Sequence, residues 1–245
     1  MNITSIPVNK VWISVNHGLD GLLLKEELNQ ADALITDLDG TIGDPAKKIA
    51  IYDNLFNGRI FNPRFISWFI RTGIKYLKKG KEAETESWKE YINLFLQYQD
   101  ELKEIEEKFS HDKISPLLYP GVERFFSLVP RHIHKTLMTK NITEVAIAFV
   151  DFLRIEEVIP EAFNKERETI RFLEENKDLR RCLVFEDYEP DFFAIMGVLD
   201  FYKKRKKIEK ATGFYVADSK DKQLKEATVN IGKDFSCLAD LLQSA

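Results

Sequence analysis

The fold of this chain is indicated most clearly by residues 33–41, which read ALITDLDGT. The short apolar run at 33–36 is typical of a buried strand, and it ends abruptly at Asp37 and Asp39. An open α/β sheet binds its ligand at the carboxyl ends of its strands. Two carboxylates in such a place repel each other and lose hydration, which is tolerable if a cation lies between them or one takes part in chemistry. We therefore expect a functional site at Asp37 and Asp39.

Outward from this stretch, strand-like and helix-like patterns alternate. Strand candidates lie at residues 12–15, 135–138, 181–185, 213–217 and 227–231, and helix candidates lie at 22–28, 122–128, 144–153, 166–175, 192–210 and 235–242. This alternation predicts an α/β fold with a doubly wound, mostly parallel sheet.

Residues 45–115 have a different character. Aromatic and aliphatic side chains recur there at helical spacing, which predicts an all-helical insertion. We accordingly divide the chain into an N-terminal extension packed on the core (1–30), an α/β core (31–44 and 116–245) and a helical insertion (45–115).

Composition restricts the functional classes. The 245 residues are 44% hydrophobic and carry a formal net charge of −4, so neither disorder nor a nucleic-acid partner is expected. Cys182 and Cys237 lack the spacing of a disulfide scaffold or a zinc site. No apolar run reaches membrane-spanning length, and the N-terminus does not read as a signal peptide. We expect a cytoplasmic protein without a membrane partner, and the oligomeric state stays open.

The order DxDGT at residues 37–41 resembles the first motif of the haloacid dehalogenase-like (HAD) phosphatase superfamily. The resemblance implies a HAD Rossmann-like core in which Asp37 is the nucleophile and forms an aspartyl-phosphate. It also implies that Asp39 acts as general acid and then as general base, and that Gly40 lets the backbone turn closely around the phosphate. A calcium loop is the alternative, but its pattern is not satisfied because Gly40 follows Asp39 directly.

The second motif of the family matches less specifically. Thr139 follows a predicted strand, where the family places a hydroxyl that binds phosphate. The family often continues with Asn, whereas here Lys140 precedes Asn141. The resemblance implies phosphate binding by Thr139, Lys140 and Asn141.

A lysine forms the third motif, and Lys165 is the candidate. It precedes a predicted helix, and its ammonium group would neutralise the phosphate and the Asp37 carboxylate. The family commonly has Pro at the next position, where this chain has Glu166. The alternative, Lys177, follows the helix and lies too close to the fourth motif.

A second apolar run followed by acids, LVFEDYEPD at residues 183–191, resembles the fourth motif, GDxxxD. The resemblance implies that Asp187 binds Mg²⁺ directly and that Asp191 supports it. The Asp37 carboxylate and the backbone carbonyl of Asp39 complete the implied site, and oxygen ligands of this kind suit Mg²⁺. Glu186 stands where the family has Gly, and it either contacts the metal or points away.

The insertion between the first and second motifs resembles the type-1 cap of the family, which closes over the site and contacts the leaving group. Its aromatic helix is surrounded by cations, so a membrane-surface helix is an alternative, although packing on a partner helix is favoured. The resemblance implies a magnesium-dependent phosphoric monoester hydrolase that acts on a small phosphorylated metabolite. A phosphomutase with the same four motifs and a non-catalytic binding protein on this fold remain alternatives.

Overall fold

The computed structural model describes residues 13–15, 20–43, 63–79, 86, 90, 114–141 and 143–244. The strands in these ranges are β1 (Ile13–Val15), β2 (Ala33–Thr36), β3 (His134–Met138), β4 (Glu157–Ile159), β5 (Arg181–Glu186), β6 (Lys210–Val216) and β7 (Val229–Ile231). The helices are α1 (Gly21–Gln30), α2 (Pro63–Lys79), α3 (Val122–Leu128), α4 (Thr143–Leu153), α5 (Lys165–Glu175), α6 (Glu189–Lys204) and α7 (Ser236–Gln243).

The described strands form one sheet in the order β1-β7-β6-β5-β2-β3-β4. Each neighbouring pair is parallel except β1 and β7, which are antiparallel at one edge. From β2 the chain moves outward to β3 and β4, and it then returns to the other side of β2 at β5. The strand order thus reverses between β2 and β5, and ligands bind such sheets in the crevice outside the carboxyl ends of the strands at this point.

Helices cover both faces of the sheet because successive residues of a strand point to opposite sides. All four residues of β2 are buried. Leu34 packs into a cluster with residues of α1, α3, α4 and α7, whereas Ile35 packs with residues of α5 and α6. The prediction of a doubly wound, mostly parallel α/β sheet is therefore confirmed.

Several element bounds differ from those predicted. The helix predicted at 192–210 begins earlier, at Glu189, and ends at Lys204, because Lys206 has a positive φ of 59° and the chain turns there before β6 begins at Lys210. The pattern did not indicate β4, a three-residue strand that pairs with β3 at the edge of the sheet. Strand β5 extends one residue beyond its predicted end and includes Glu186.

Most of the predicted insertion at 45–115 lies outside the described residues. Its described helix, α2, places Trp68 against the core cluster and leaves aliphatic side chains such as Ile70 and Leu77 exposed. Within the part of the chain that the structure describes, no helix is both long and apolar enough to span a bilayer.

Candidate active site

The predicted site residues meet at the carboxyl edge of the three central strands. Asp37 follows β2, Thr139 follows β3 and Asp187 follows β5, and β2 lies between the other two strands. A cavity of about 450 Å³ opens at this edge. It is lined by Asp37, Asp39, Thr139, Lys140, Asp187, Tyr188, Asp191, Tyr215, Val216, Ala217, Asp218 and Lys222.

Lys165, the first residue of α5, is buried behind this lining. Its Nζ lies 3.2 Å from Asp37 Oδ1 and 2.9 Å from Glu186 Oε2, and it donates a hydrogen bond to the Met138 carbonyl at 2.8 Å. Burial alone would lower the pKa of Lys165, but the carboxylates of Asp37 and Glu186 together raise that pKa above its ordinary value. The lysine is therefore a fixed positive charge against Asp37, whereas Lys177 is exposed beyond the end of α5.

Glu186 points into the site. It is fully buried, and its Oε1 accepts hydrogen bonds from the backbone N–H groups of Asp187 and Tyr188, both at 3.2 Å. Burial raises the pKa of Glu186 well above its usual range, an effect opposed by Lys165 and strengthened by Asp37 and the neighbouring acids. Of the two options that the sequence left open, the structure excludes an outward side chain and pairs Glu186 with Lys165.

Asp187 connects the ends of β2 and β5. Its Oδ1 accepts a hydrogen bond from the Thr41 hydroxyl at 2.8 Å. Burial and the neighbouring Asp37 carboxylate raise the pKa of Asp187 to about 7. Such a shift means that the ionised form lacks sufficient compensation within the chain.

The oxygens of Asp37, Glu186 and Asp187 can hold a cation. One carboxylate oxygen from each lies within 4.8 Å of the others. When Asp37, Glu186 and Asp187 are all ionised they carry three negative charges, and Lys165 compensates one of them. A bound cation would therefore be favourable at this cluster. Hard carboxylate oxygens are the ligands that Mg²⁺ prefers, and the donor set fits that ion.

The loop after β3 brings a second carboxylate into the site. Asn141 is fully buried, and its side-chain Nδ2 donates a hydrogen bond to Asp39 Oδ2 at 2.9 Å. Its backbone N–H donates to the Thr139 Oγ1 at 3.1 Å. Because Thr139 Oγ1 accepts this bond, its own hydroxyl hydrogen can be donated into the cavity that Thr139 lines.

Lys140 and Asp191 both line the cavity and contact each other. Lys140 Nζ lies 2.9 Å from Asp191 Oδ2 and 4.6 Å from the centre of the Tyr188 ring. Asp191 lies in the first turn of α6 and is not part of the group of converging carboxylates formed by Asp37, Glu186 and Asp187 among the described residues. The geometry therefore gives Asp191 a contact with Lys140.

Six further lining residues were not singled out from the sequence: Tyr188, Tyr215, Val216, Ala217, Asp218 and Lys222. Tyr188 lies inside the fourth motif, but Tyr215, Asp218 and Lys222 belong to β6 and the chain after it. They reach the cavity because β6 pairs directly with β5. Only the sheet order reveals this, since 28 positions separate Asp187 from Tyr215 in the sequence.

Comparison with known proteins supports the fold. The sequence matches no protein-family model, and no curated protein is significantly similar to it. Among solved structures, the chain is similar to a protein named as a haloacid dehalogenase-like hydrolase from Burkholderia xenovorans LB400, with a TM-score of 0.51 and 11% sequence identity. The match covers 88% of this chain and 99% of that one. At this identity the likeness concerns the fold alone, a doubly wound, mostly parallel α/β sheet.

Proposed function

We propose that the chain is a magnesium-dependent phosphatase of the HAD type that hydrolyses a small phosphorylated metabolite through an aspartyl-phosphate. The observation that carries this proposal is the environment of Asp37. Its carboxylate lines the cavity at the point where the strand order reverses, with Lys165 3.2 Å away and Asp39 two residues further on. A nucleophile, a buried cation and a second carboxylate thus converge on one space, which is the set that phosphoryl transfer by covalent catalysis requires.

In the first step, a carboxylate oxygen of Asp37 attacks phosphorus, and the bond from phosphorus to the leaving oxygen breaks. The carboxylic acid form of Asp39 gives its proton to the leaving oxygen, so a neutral alcohol departs. In the second step, a water oxygen attacks phosphorus, and the Asp39 carboxylate accepts a proton from that water. The bond from phosphorus to Asp37 then breaks, which releases inorganic phosphate and restores the Asp37 carboxylate.

Positive charge around the transferred phosphoryl group would come from two sources. Lys165 compensates Asp37 from behind, because it is buried and contacts that carboxylate directly. Asp37 and Asp187, with the backbone carbonyl of Asp39, are the groups that we propose for Mg²⁺, and Glu186 lies beside the two carboxylates. The resemblance also implies support from Asp191, but that carboxylate contacts Lys140. When bound, the ion would neutralise charge on the phosphate oxygens.

The phosphate itself would be held at the end of β3. Thr139 and Lys140 both line the cavity, and they offer a hydroxyl donor and a cation to phosphate oxygens. Gly40 provides the close backbone turn beside them. The remaining volume, towards Tyr188 and Tyr215, is available to the leaving group, and we propose that the insertion at 45–115 covers it as a cap.

The experiment that tests this function is release of p-nitrophenolate from p-nitrophenyl phosphate by the purified full chain with Mg²⁺. We expect turnover that disappears with excess chelator. Asp37→Asn should reduce the rate by roughly a thousandfold or more, because the nucleophile is lost. The matched control is Asp200→Asn, since Asp200 is exposed on α6.

Two results would contradict the proposal. Turnover that survives excess chelator would exclude the metal role of the acidic cluster. A rate for Asp37→Asn within tenfold of the wild-type rate would exclude Asp37 as the nucleophile. If the wild-type chain binds phosphate but releases no product, the non-catalytic alternative is correct, and transfer of phosphate between two positions of a sugar phosphate would instead identify a phosphomutase.

A further inference from the structure

We propose that Asn141 is a positioning residue for Asp39, holding the acid/base carboxylate towards the leaving-group oxygen, and this inference rests on the proposed phosphatase function. The resemblance of the second motif implies that Asn141 binds phosphate. The geometry points to a different partner, since the Asn141 amide donates to Asp39 Oδ2 at 2.9 Å.

Hydrogen bonds hold both the N–H and the carbonyl of the Asn141 backbone, and this backbone positions the side chain. Its own N–H donates to Thr139 Oγ1 at 3.1 Å, and its carbonyl accepts from the N–H of Glu161 at 3.0 Å. The neighbouring Thr139 donates its N–H to the carbonyl of Ile159, the last residue of β4, at 3.0 Å. The loop after β3 is thereby tied to the chain after β4, which restricts the positions that the amide can take.

Asn141 is not among the described residues that line the cavity. The residue is fully buried, whereas Asp39 and Thr139 line the cavity and Asn141 lies behind that lining. A hydrogen bond to one oxygen of a carboxylate restricts rotation about its terminal bond, which is otherwise broad. Asn141 therefore acts on the reaction through Asp39.

The consequence depends on the leaving group. An alkoxide is a poor leaving group and needs the proton that Asp39 supplies, whereas 2,4-dinitrophenolate leaves without it. Loss of the Asn141 amide should therefore slow the first step with alkyl phosphates and leave that step nearly unchanged with 2,4-dinitrophenyl phosphate. The second step should slow with every substrate, because Asp39 also accepts the proton of the attacking water.

The experiment compares the wild-type chain with Asn141→Ala and the nearly isosteric Asn141→Leu, which keeps the approximate shape and removes the donor without adding a charge. Single-turnover rates are measured with an alkyl phosphate and with 2,4-dinitrophenyl phosphate, with Mg²⁺ present. We expect the rate of the first step to fall about tenfold to a hundredfold more for the alkyl ester than for the dinitrophenyl ester, since general acid catalysis contributes about 10²–10⁴-fold. With 2,4-dinitrophenyl phosphate in excess over the protein, a stoichiometric burst of dinitrophenolate should appear in the variants as the aspartyl-phosphate accumulates.

Binding of inorganic phosphate, measured by calorimetry with Mg²⁺ present, provides a readout independent of turnover. We expect Asn141→Leu and Asn141→Ala to bind phosphate within about threefold of the wild-type affinity, and Thr139→Val to bind it more weakly. If Asn141→Ala does not fold, as judged by circular dichroism, Asn141→Leu decides the outcome.

Equal rate losses for both esters, or a large loss of phosphate affinity in the folded variant, would overturn the positioning role. If the wild-type chain hydrolyses neither ester, the proposed function fails first and the inference falls with it. The two failures are therefore distinguishable by the wild-type rate alone.

Discussion

A Cβ atom placed on Gly40 would lie 2.1 Å from Asp187 Oδ2, so the turn after β2 and the acid after β5 occupy adjoining space that only a glycine leaves open. Gly40 also has a positive φ of 86°, a backbone conformation that other residues adopt at a cost. Asp187 cannot swing aside freely, because its Oδ1 accepts the hydrogen bond from Thr41.

Gly40→Ala is therefore expected to displace the Asp187 carboxylate and to strain the turn. We expect a loss of stability of about 1–2 kcal/mol from the positive φ alone. The rate of aryl phosphate hydrolysis should fall by on the order of tenfold or more, because each 1.4 kcal/mol of lost transition-state stabilisation is a factor of ten. Urea unfolding and the hydrolysis rate measure the two effects.

The control for this substitution is Gly197→Ala. Gly197 lies within α6, and a Cβ there would meet no atom within 4 Å outside its own helix and chain neighbours. This change should stabilise the protein by about 0.5–1 kcal/mol through helix propensity and leave the rate unchanged. Equal effects of the two substitutions would show that the space beside Gly40, next to Asp187, does not need to stay open.

Lys165→Met should destabilise the protein without metal by about 3–5 kcal/mol, because it leaves the charges of Asp37 and Glu186 buried and uncompensated. Lys177→Met, at an exposed position, should change the free energy of unfolding by less than about 0.5 kcal/mol. Urea denaturation at neutral pH measures both. Adding Glu186→Gln to Lys165→Met should recover part of the loss, and the absence of any recovery would contradict the pairing of Lys165 with Glu186.

Asp187→Asn should weaken the affinity for Mg²⁺ more than Glu186→Gln does. Both carboxylate oxygens of Glu186 already have donors from the protein, since Lys165 donates to Oε2 and two backbone N–H groups donate to Oε1. Asp187 lines the cavity and accepts the Thr41 hydrogen bond on Oδ1. Magnesium titration of the hydrolysis rate and calorimetry give the affinity of each variant for Mg²⁺. An equal loss of affinity in both variants would show that Glu186 contributes to Mg²⁺ binding as much as Asp187 does.

The stability of the metal-free protein should fall as pH rises towards 7. The pKa of Asp187 is raised to about 7 by burial and by Asp37, whereas an unfolded Asp has a pKa of about 3.9. Between about pH 4 and pH 7 the carboxyl group releases its proton in the unfolded state and keeps it in the folded state. The contribution of protonated Asp187 to the free energy of unfolding is therefore complete below about pH 4 and lost above about pH 7. Urea unfolding of the wild type and Asp187→Asn at pH 5, 6, 7 and 8 isolates the effect.

Added Mg²⁺ should oppose this loss. The thermal stabilisation by Mg²⁺ is expected to grow from pH 5 to pH 8, because the carboxylate must be ionised to bind the ion. Asp187→Asn should show little of this pH dependence. A stabilisation by Mg²⁺ that is as large at pH 5 as at pH 8 would place the ion elsewhere in the protein.

The ion pair between Lys165 at the start of α5 and Glu186 at the end of β5 could not be predicted from the sequence. Glu186 is visible in the sequence at the position where the motif that it resembles has Gly, but the role of Glu186 depends on a lysine 21 positions earlier whose Nζ lies 2.9 Å away. Local patterns cannot predict this pairing, because it arises only when α5 packs against the strands and removes water from both charges. The contact between Asn141 and Asp39 is of the same kind, since it depends on β3 lying beside β2.

The sequence by itself determined strands β2, β3 and β5 to within one residue, and with them the positions of Asp37, Asp39 and Asp187 just beyond the ends of β2 and β5. These follow from local patterns, because an apolar run that ends in acids specifies a buried strand with carboxylates at its end. Only the tertiary structure decided that Tyr215 and Asp218 reach the same cavity and that Asp191 contacts Lys140. The physical reason is that side chains from separate strands meet according to the order of strands in the sheet, and that order is fixed by packing of the whole core.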